Sequence, residues 1–293
     1  MKRLLLVVLL ALVAFALVAC GTDNDKDVDT SEEKSSSEPA VNEEADVAEE
    51  LTKLVVGASN VPHAIILEKA KPLLEEKGID LVIETYQDYI LPNKDLESSE
   101  LDANFFQHIP YLEVQIADHG YEFENAGAIH VEPMAVYSKK YDSIEDLPDG
   151  ATILFSNSVA EHGRVLSILE ESGLIKLADG VEKVKAEIKD VVENPKNLEF
   201  DANYETSFMP QLYNNDEGDA LVINANYAID AGLNPVNDSI AIESSNSPYA
   251  NIIAVRAGDE DREDIKVLIE VLTSKEIQDF ILEEWDGMVV PVK

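Results

Sequence analysis

Read for its apolar and polar positions, the chain opens on an uninterrupted apolar run, Leu4 to Ala19, and then carries almost no large apolar side chain from Gly21 to Glu50. Beyond that point short apolar runs alternate with segments of helical periodicity. Leu54-Val55-Val56-Gly57-Ala58 predicts a short buried strand, Ala64 to Lys77 an amphipathic helix, and Ile79 to Glu84 a second strand ending near Thr85. Strand, helix and strand at such short spacing are the signature of a parallel sheet. The alternation returns with a strand over Ala151–Phe155, a helix over Glu161–Ser172 and a strand over Asn197–Phe200. Leu221-Val222-Ile223 and Ile252-Ile253-Ala254-Val255 add buried strands, and Asp264–Leu272 and Lys275–Trp285 add helices. No internal repeat of fixed period is present. Proline is tolerated in the first turn of a helix but not in its interior, so Pro110 starts a helix at about His108 or Ile109. Phe105 to His108 is then expected as the turn leading into that helix. Its two adjacent phenylalanines must point in different directions, one into a core and the other lining something else.

The first residues change the picture of where the protein works. Lys2 and Arg3 before the apolar run have the form of an export signal, residues 1–19. Leu17-Val18-Ala19-Cys20 before Gly21 resembles a bacterial lipobox, whose cysteine becomes the lipidated first residue. The run is short for a membrane span and stops at that cysteine. Cys20 is the sole cysteine, so a disulfide within one chain is impossible. Residues 20–50 cannot bury enough apolar surface to offset their ordering entropy, and are expected to form a disordered acidic tether. The remaining length, roughly 240 residues, suits one large or two medium domains.

The net charge is −37. Residues 21–50 hold twelve acidic and two basic side chains and the leader two more basic ones, which leaves about −29 on residues 51–293. A charge of that sign argues against nucleic acid and against docking on an anionic lipid surface, since both repel it. It also suits a saline or alkaline habitat and says nothing about a ligand.

Polar and aromatic residues collect in the loops after the strands, where ligands of open α/β sheets sit. In order these are Tyr86-Gln87-Asp88-Tyr89 with Pro92-Asn93, "ANFFQHIPYL" from Ala103, "HVEPMAVYSKKY" from His130, "SNSVAEHGR" from Ser156, "NANYA" from Asn224 and "SPYAN" from Ser247. Arg164, opening a helix among amides and aromatics, suits a free carboxylate, because guanidinium pairs with it bidentately and a helix N-terminus adds a favourable field. Duller roles are open for all of these residues. Arg164 and Glu161 could form a surface ion pair, Asn224 and Asn251 could brace turns, and His63, His108 and His130 could be hydrogen-bonded loop residues. No serine-nucleophile elbow, phosphate-binding loop or His-Glu-x-x-His motif occurs, so hydrolase and transferase chemistry is disfavoured and no cofactor is expected. His63, His108, His119, His130 and His162 match no local metal-ligand spacing, so no metal is expected unless the fold gathers them.

Taken together, "VPHAIILE", "DANFFQHIPYL", "HVEPMAVYSKKY", "LPDGATI", "NPKNLEF", "VINANYAIDAGLNP" and "SPYANIIAVR" resemble the NlpA family of methionine-binding lipoproteins, the substrate-binding subunits of bacterial D- and L-methionine ABC importers. The resemblance runs from about Leu54 to Val292. It implies an α/β, two-lobed periplasmic-binding-protein-like fold of type II, with the ligand cleft between a lobe of residues 51–135 plus 252–293 and a lobe of residues 136–251. It implies that Tyr89, Phe105, Phe106, His108 and Tyr111 surround the thioether side chain, that Arg164 holds the carboxylate, and that Asn224 and Asn251 bind the backbone groups. The implied partners are L- or D-methionine or a related small molecule, an ABC permease with its ATPase, and the membrane through the lipid on Cys20. The sequence departs from the family in one loop. Where an Asn-Asp-Pro-Thr-Asn-Gly-Gly-Arg type of segment is common, this chain has Asn157-Ser158-Val159-Ala160-Glu161-His162-Gly163-Arg164. A carboxylate at 161 would compete for Arg164 or bind an additional amino group, which leaves a methionine peptide, another amino-acid derivative or a metal ion as alternative cargo.

Overall fold

The protein is described from a computed structural model, which covers residues 51–244 and 247–292. The signal, Cys20 and the acidic tether lie outside the described residues. In chain order the elements are β1 (Thr52–Ser59), α1 (Ile65–Glu75), β2 (Ile79–Tyr86), α2 (Leu91–Glu97), β3 (Ala103–His108), α3 (Ile109–His119), β4 (Phe123–Val131) and β5 (Ala135–Tyr137). There follow β6 (Thr152–Ser156), α4 (Val159–Glu171), the short pair β7 (Lys176–Leu177) and β8 (Val191–Glu193), β9 (Glu199–Tyr204), α5 (Met209–Asn214) and β10 (Ala220–Ile223). Last come α6 (Ala225–Asp230), β11 (Ala241–Ile242), β12 (Ala250–Arg256), α7 (Glu263–Leu272), α8 (Lys275–Trp285) and β13 (Val290–Pro291).

Two mixed sheets organise these elements. The first has the order β13-β4-β12-β3-β1-β2 and the second β11-β5-β10-β6-β9. The βαβ periodicity correctly implies parallel pairing of β1 with β2 and of β6 with β9; β10 also lies parallel to β6, and β3, a strand the periodicity does not show, lies parallel to β1. The periodicity does not imply that β12 returns from the far end of the chain to lie antiparallel between β3 and β4. The chain passes from the first sheet to the second over residues 132–134 and comes back between Ile242 and Ala250. Glu132 of the outgoing crossing and Glu243 and Tyr249 of the returning one lie beside the site described below.

The segment expected as a turn, Phe105 to His108, is instead the end of β3, a central strand buried over its whole length. Strands covered on both faces lose the polar–apolar alternation that marks a half-exposed one. Here the buried polar residues are satisfied internally rather than by solvent. Gln107 Nε2 donates to Asn93 Oδ1 at 2.8 Å and to Asn104 Oδ1 at 2.9 Å, and Asn104 Nδ2 donates to Asn93 Oδ1 at 2.9 Å. This amide cluster fixes α2 against β3. The helix start falls where Pro110 places it: α3 begins at Ile109, and His108 caps it by accepting the Tyr111 N–H on Nδ1 at 3.1 Å.

Leu54, Val56 and Ala58 alternate on one face of β1 and meet Ile66, Leu67, Ala70 and Leu74 of α1, at helical spacing, in a core that also takes Leu268, Ile281 and Trp285. The second sheet is covered on one face by α4 through Val165, Leu166 and Leu169 against Ile153, Phe155 and Val222. Its other face packs Leu154, Leu221 and Ile223 on Met209 and Tyr137. The segment 183–185 lies so close over α4 that a Cβ at Gly163 would stand 2.2 Å from the Lys183 carbonyl oxygen and 2.6 Å from that of Val184. Glycine at 163 therefore seats the turn of α4 that carries Glu161 and Arg164. Gly163→Ala should cost at least about 1–3 kcal/mol, as overpacking against backbone does, read by thermal or urea unfolding. An unchanged midpoint would show that residues 183–185 do not press on α4.

Candidate functional site

The loops at the carboxyl ends of β2, β3, β6 and β10 converge on one cavity, placed as the ligand sites of open α/β sheets are. Tyr89, Phe106, Gln107, His108 and Tyr111 come to it from the first sheet, and Glu132 from the outgoing crossing. Glu161 and Arg164 come from α4, Asn224, Ala225 and Asn226 from the start of α6, and Asn251 from β12. Six of the seven residues singled out in the sequence thus meet there: Tyr89, Phe106, His108, Arg164, Asn224 and Asn251. Tyr111 lines it as well.

Phe105 does not reach the cavity. Successive side chains of a strand point to opposite faces, so with Phe106 on the cavity side Phe105 is 0% exposed in the core. There its ring makes edge contacts with His63 and His130, at centroid distances of 4.6 and 5.2 Å. The adjacent phenylalanines do divide between core and cavity, and the aromatic wall is made by Tyr89, Phe106 and Tyr111, mutually packed at 5.8–6.0 Å. Tyr111 donates its hydroxyl to the Tyr89 carbonyl at 2.9 Å, and Tyr89 donates to Asn226 Oδ1 at 2.6 Å, which joins the two sides across the cavity.

The opposite end is charged. Because His108 Nδ1 accepts a backbone N–H, its other nitrogen carries the proton and Nε2 donates to Glu161 Oε1 at 2.7 Å. Burial opposes ionisation of Glu161, yet His108, Arg164 and Asn224 together hold its carboxyl down at about 2. Its Oε2 has no hydrogen-bond partner among the described residues and lies 3.5 Å from Arg164 Nη1.

Arg164 is 4% exposed at its side chain and is already engaged on one edge. Nε donates to Glu243 Oε2 at 2.8 Å, and Nη2 approaches the same oxygen at 2.6 Å while donating to the Glu132 carbonyl at 2.5 Å. Its guanidinium also stacks 4.7 Å over the Tyr249 ring. Burial works against the charge, but Glu243 and Glu161 raise the guanidinium pKa further. The guanidinium edge that sequence reasoning reserves for a ligand is therefore taken by Glu243, and Nη1, beside Glu161, is the nitrogen left outside that pairing.

Below the cavity Glu132 Oε1 stands 2.7 Å from His130 Nε2 and 3.2 Å from His63 Nε2, and His63 Nε2 is also 3.1 Å from Asn251 Oδ1. Burial pushes the two imidazoles down to about 4 for His63 and about 3 for His130, and pushes the Glu132 carboxyl up. The fold thus gathers histidines 67 positions apart, which no local spacing could reveal. Glu132, Gln107, Ala225 and Asn226 are the cavity residues that sequence reasoning did not single out. An acid set between apolar neighbours in His130-Val131-Glu132-Pro133-Met134 was the available signal for the first.

The model of the NlpA lipoprotein family matches residues 54–293. The chain is 48% identical over 294 residues to the methionine-binding lipoprotein MetQ of Bacillus subtilis, covering 100% of this chain and 99% of that protein. It is 37% identical over 237 residues to the D-methionine-binding lipoprotein MetQ of Salmonella typhi, covering 81% of this chain and 86% of the relative. Among solved structures, a nutrient binding protein from Burkholderia cenocepacia bound to methionine superposes with a TM-score of 0.77 at 37% identity, covering 82% of this chain and 100% of that one.

Proposed function

The chain belongs to the NlpA lipoprotein family, and on that premise we propose that it is an extracytoplasmic substrate-binding lipoprotein of an ABC importer that takes up methionine, in its D or L form, or a close relative. The observation that carries this reading is the polarity of the cavity. One wall is aromatic, from Tyr89, Phe106 and Tyr111, and the other end holds Glu132, Glu161, Arg164, Asn224, Asn226 and Asn251. An amino acid with an unbranched, polarizable side chain matches both. Its thioether lies against the rings, where each sulfur–aromatic contact adds roughly 0.3–1.5 kcal/mol. Its carboxylate goes to Arg164 Nη1 and the asparagine amides, and its ammonium to the carboxylate side.

In this reading residues 51–135 with 252–293 form one lobe and residues 136–251 the other, closing on the ligand. The protein binds without turnover and passes methionine unchanged to a membrane permease driven by a cytoplasmic ATPase. Lipid on Cys20 holds it to the outer side of the cytoplasmic membrane, because two or three acyl chains anchor stably where one does not.

Calorimetric titration of methionine tests the pocket. Arg164→Ala should weaken binding by on the order of a hundredfold, about 2–3 kcal/mol, because a ligand carboxylate loses its charged partner in a desolvated site. Phe106→Ala should cost less and admit other side chains, whereas Phe105→Leu should lower stability and leave side-chain selection alone. Glu161→Asn reports on the departure from the family loop. Methionine binding as tight in folded Arg164→Ala as in wild type would show that the orientation is wrong. Tight methionine binding confined to Glu161→Asn would show that the natural cargo is different.

The anchor has its own test. In fractionated cells Cys20→Ser should be released or keep its leader uncut, and normal processing with full membrane retention would contradict lipidation.

A further inference from the structure

At the floor of the cavity, and sharing Glu132 and Asn251 with it, the fold assembles a second constellation of metal-ligating side chains. His63 comes from the turn before α1, His130 from β4, Glu132 from the outgoing crossing and Asn251 from β12, and all four are buried. Ligand atoms of His63, His130 and Glu132 lie within 4.8 Å of one another, and the Asn251 carbonyl oxygen is 3.1 Å from His63 Nε2. We propose that these four side chains bind one divalent transition-metal ion of the zinc class, through His63 Nε2, His130 Nε2, a Glu132 carboxylate oxygen and Asn251 Oδ1.

The geometry is close to what such an ion needs. Zinc bonds imidazole nitrogen and carboxylate oxygen at about 2.0–2.2 Å, so the edges of its coordination tetrahedron are about 3.4 Å. The gaps observed, 2.7, 3.1 and 3.2 Å, are hydrogen-bond distances, shorter than that edge by about 0.2–0.7 Å, so the ligands must part slightly around an ion. The ion takes the place of the Nε2 protons that the two neutral imidazoles now direct at Glu132 and Asn251, and each ring keeps its one proton, moved to Nδ1.

Charge points the same way. A carboxylate buried without a cation is costly. The side chains in contact with the Glu132 carboxylate are the two imidazoles; Arg164 donates to its backbone carbonyl and favours the ionised carboxyl only through space. A divalent cation places positive charge in direct contact with it. Two imidazole nitrogens select zinc, cobalt, nickel or copper over magnesium and calcium, which prefer all-oxygen sites. Entry is through the cavity, since Glu132 and Asn251 line it.

Both Nδ1 atoms lack a hydrogen-bond partner among the described residues. Metal-bound histidines ordinarily donate that N–H to an acceptor, and losing such support weakens metal sites by about 10–100-fold. The site is accordingly an exchangeable one, weaker than a closed structural zinc site.

The test uses the full chain in detergent, treated with chelator and then titrated with Co²⁺ in excess Mg²⁺, which occupies the many surface carboxylates. We expect the intense visible absorption of tetrahedral cobalt, saturating at one ion per chain and abolished by Zn²⁺. His63→Gln and His130→Gln, each checked for folding by circular dichroism, should weaken cobalt binding by at least about a hundredfold, no less than the upper end for losing an outer-shell partner. Only the faint absorption of octahedral, all-oxygen cobalt in the wild type would overturn the proposal, as would stoichiometric binding that survives both substitutions in folded protein. If a variant does not fold, the wild-type spectrum decides alone. Methionine titrated into the metal-free chain separates the two readings: its failure to bind would remove the proposed cargo and leave the metal result standing.

Discussion

A guanidinium withdrawn from water needs partners on every edge, and Arg164 obtains them from segments far apart in the sequence. Glu243 on the returning crossing takes Nε and Nη2, the carbonyl of Glu132 on the outgoing crossing takes Nη2 again, Tyr249 covers one face, and Glu161 on its own helix faces Nη1. Glu243 is itself held, since its Oε2 also accepts the Met134 N–H at 3.1 Å and its Oε1 the Ser247 hydroxyl at 2.8 Å. One buried charge therefore ties both crossings between the sheets to the first turns of α4. Removing one partner of such a group leaves the other uncompensated, which is far more costly than loss of a surface ion pair. The close seat of Gly163 under residues 183–185 keeps that turn of α4 where the network requires it.

The cavity inherits its character from this arrangement. With Glu243 occupying one edge, the guanidinium keeps Nη1 toward Glu161, and the amides of Asn224, Asn226 and Asn251 line the cavity beside it. Each buried carboxylate is steadied by imidazole: Glu161 by His108, which is fixed in turn by capping α3, and Glu132 by His63 and His130. The aromatic wall stands opposite. A small zwitterion with an apolar tail completes the charges at one end and the packing at the other.

Much of the fold was legible because burial on a regular element leaves a period in the sequence. The strands β1, β2, β6, β10 and β12 and the helices α1, α4, α7 and α8 all carry such a trace, and Pro110 marked the start of α3 to within one position. The segment Phe105–His108 misled because β3 is covered on both faces and places amides in its interior, so it showed neither alternation nor a purely apolar run. Adjacent phenylalanines in a strand must diverge, which foretold that one would be core, but only the register of β3 against β1 and β12 decides that it is Phe105. Arg164 was conspicuous as a cation at a helix start, while its partner Glu243 lies 79 positions away, beyond the reach of any local pattern. The same holds for His63, His130 and Glu132, whose convergence depends on β4 and α1 packing on one sheet.

Methionine is the ligand proposed for this cavity. Native mass spectrometry of the full chain, purified in detergent without added ligand and then exposed to equimolar methionine, leucine and aspartate, tests it most directly. The account predicts a protein species heavier by the mass of one methionine, lost on gentle activation and not replaced by leucine or aspartate. A species carrying leucine or aspartate in preference, or a chain that remains bare in the presence of methionine, would contradict it.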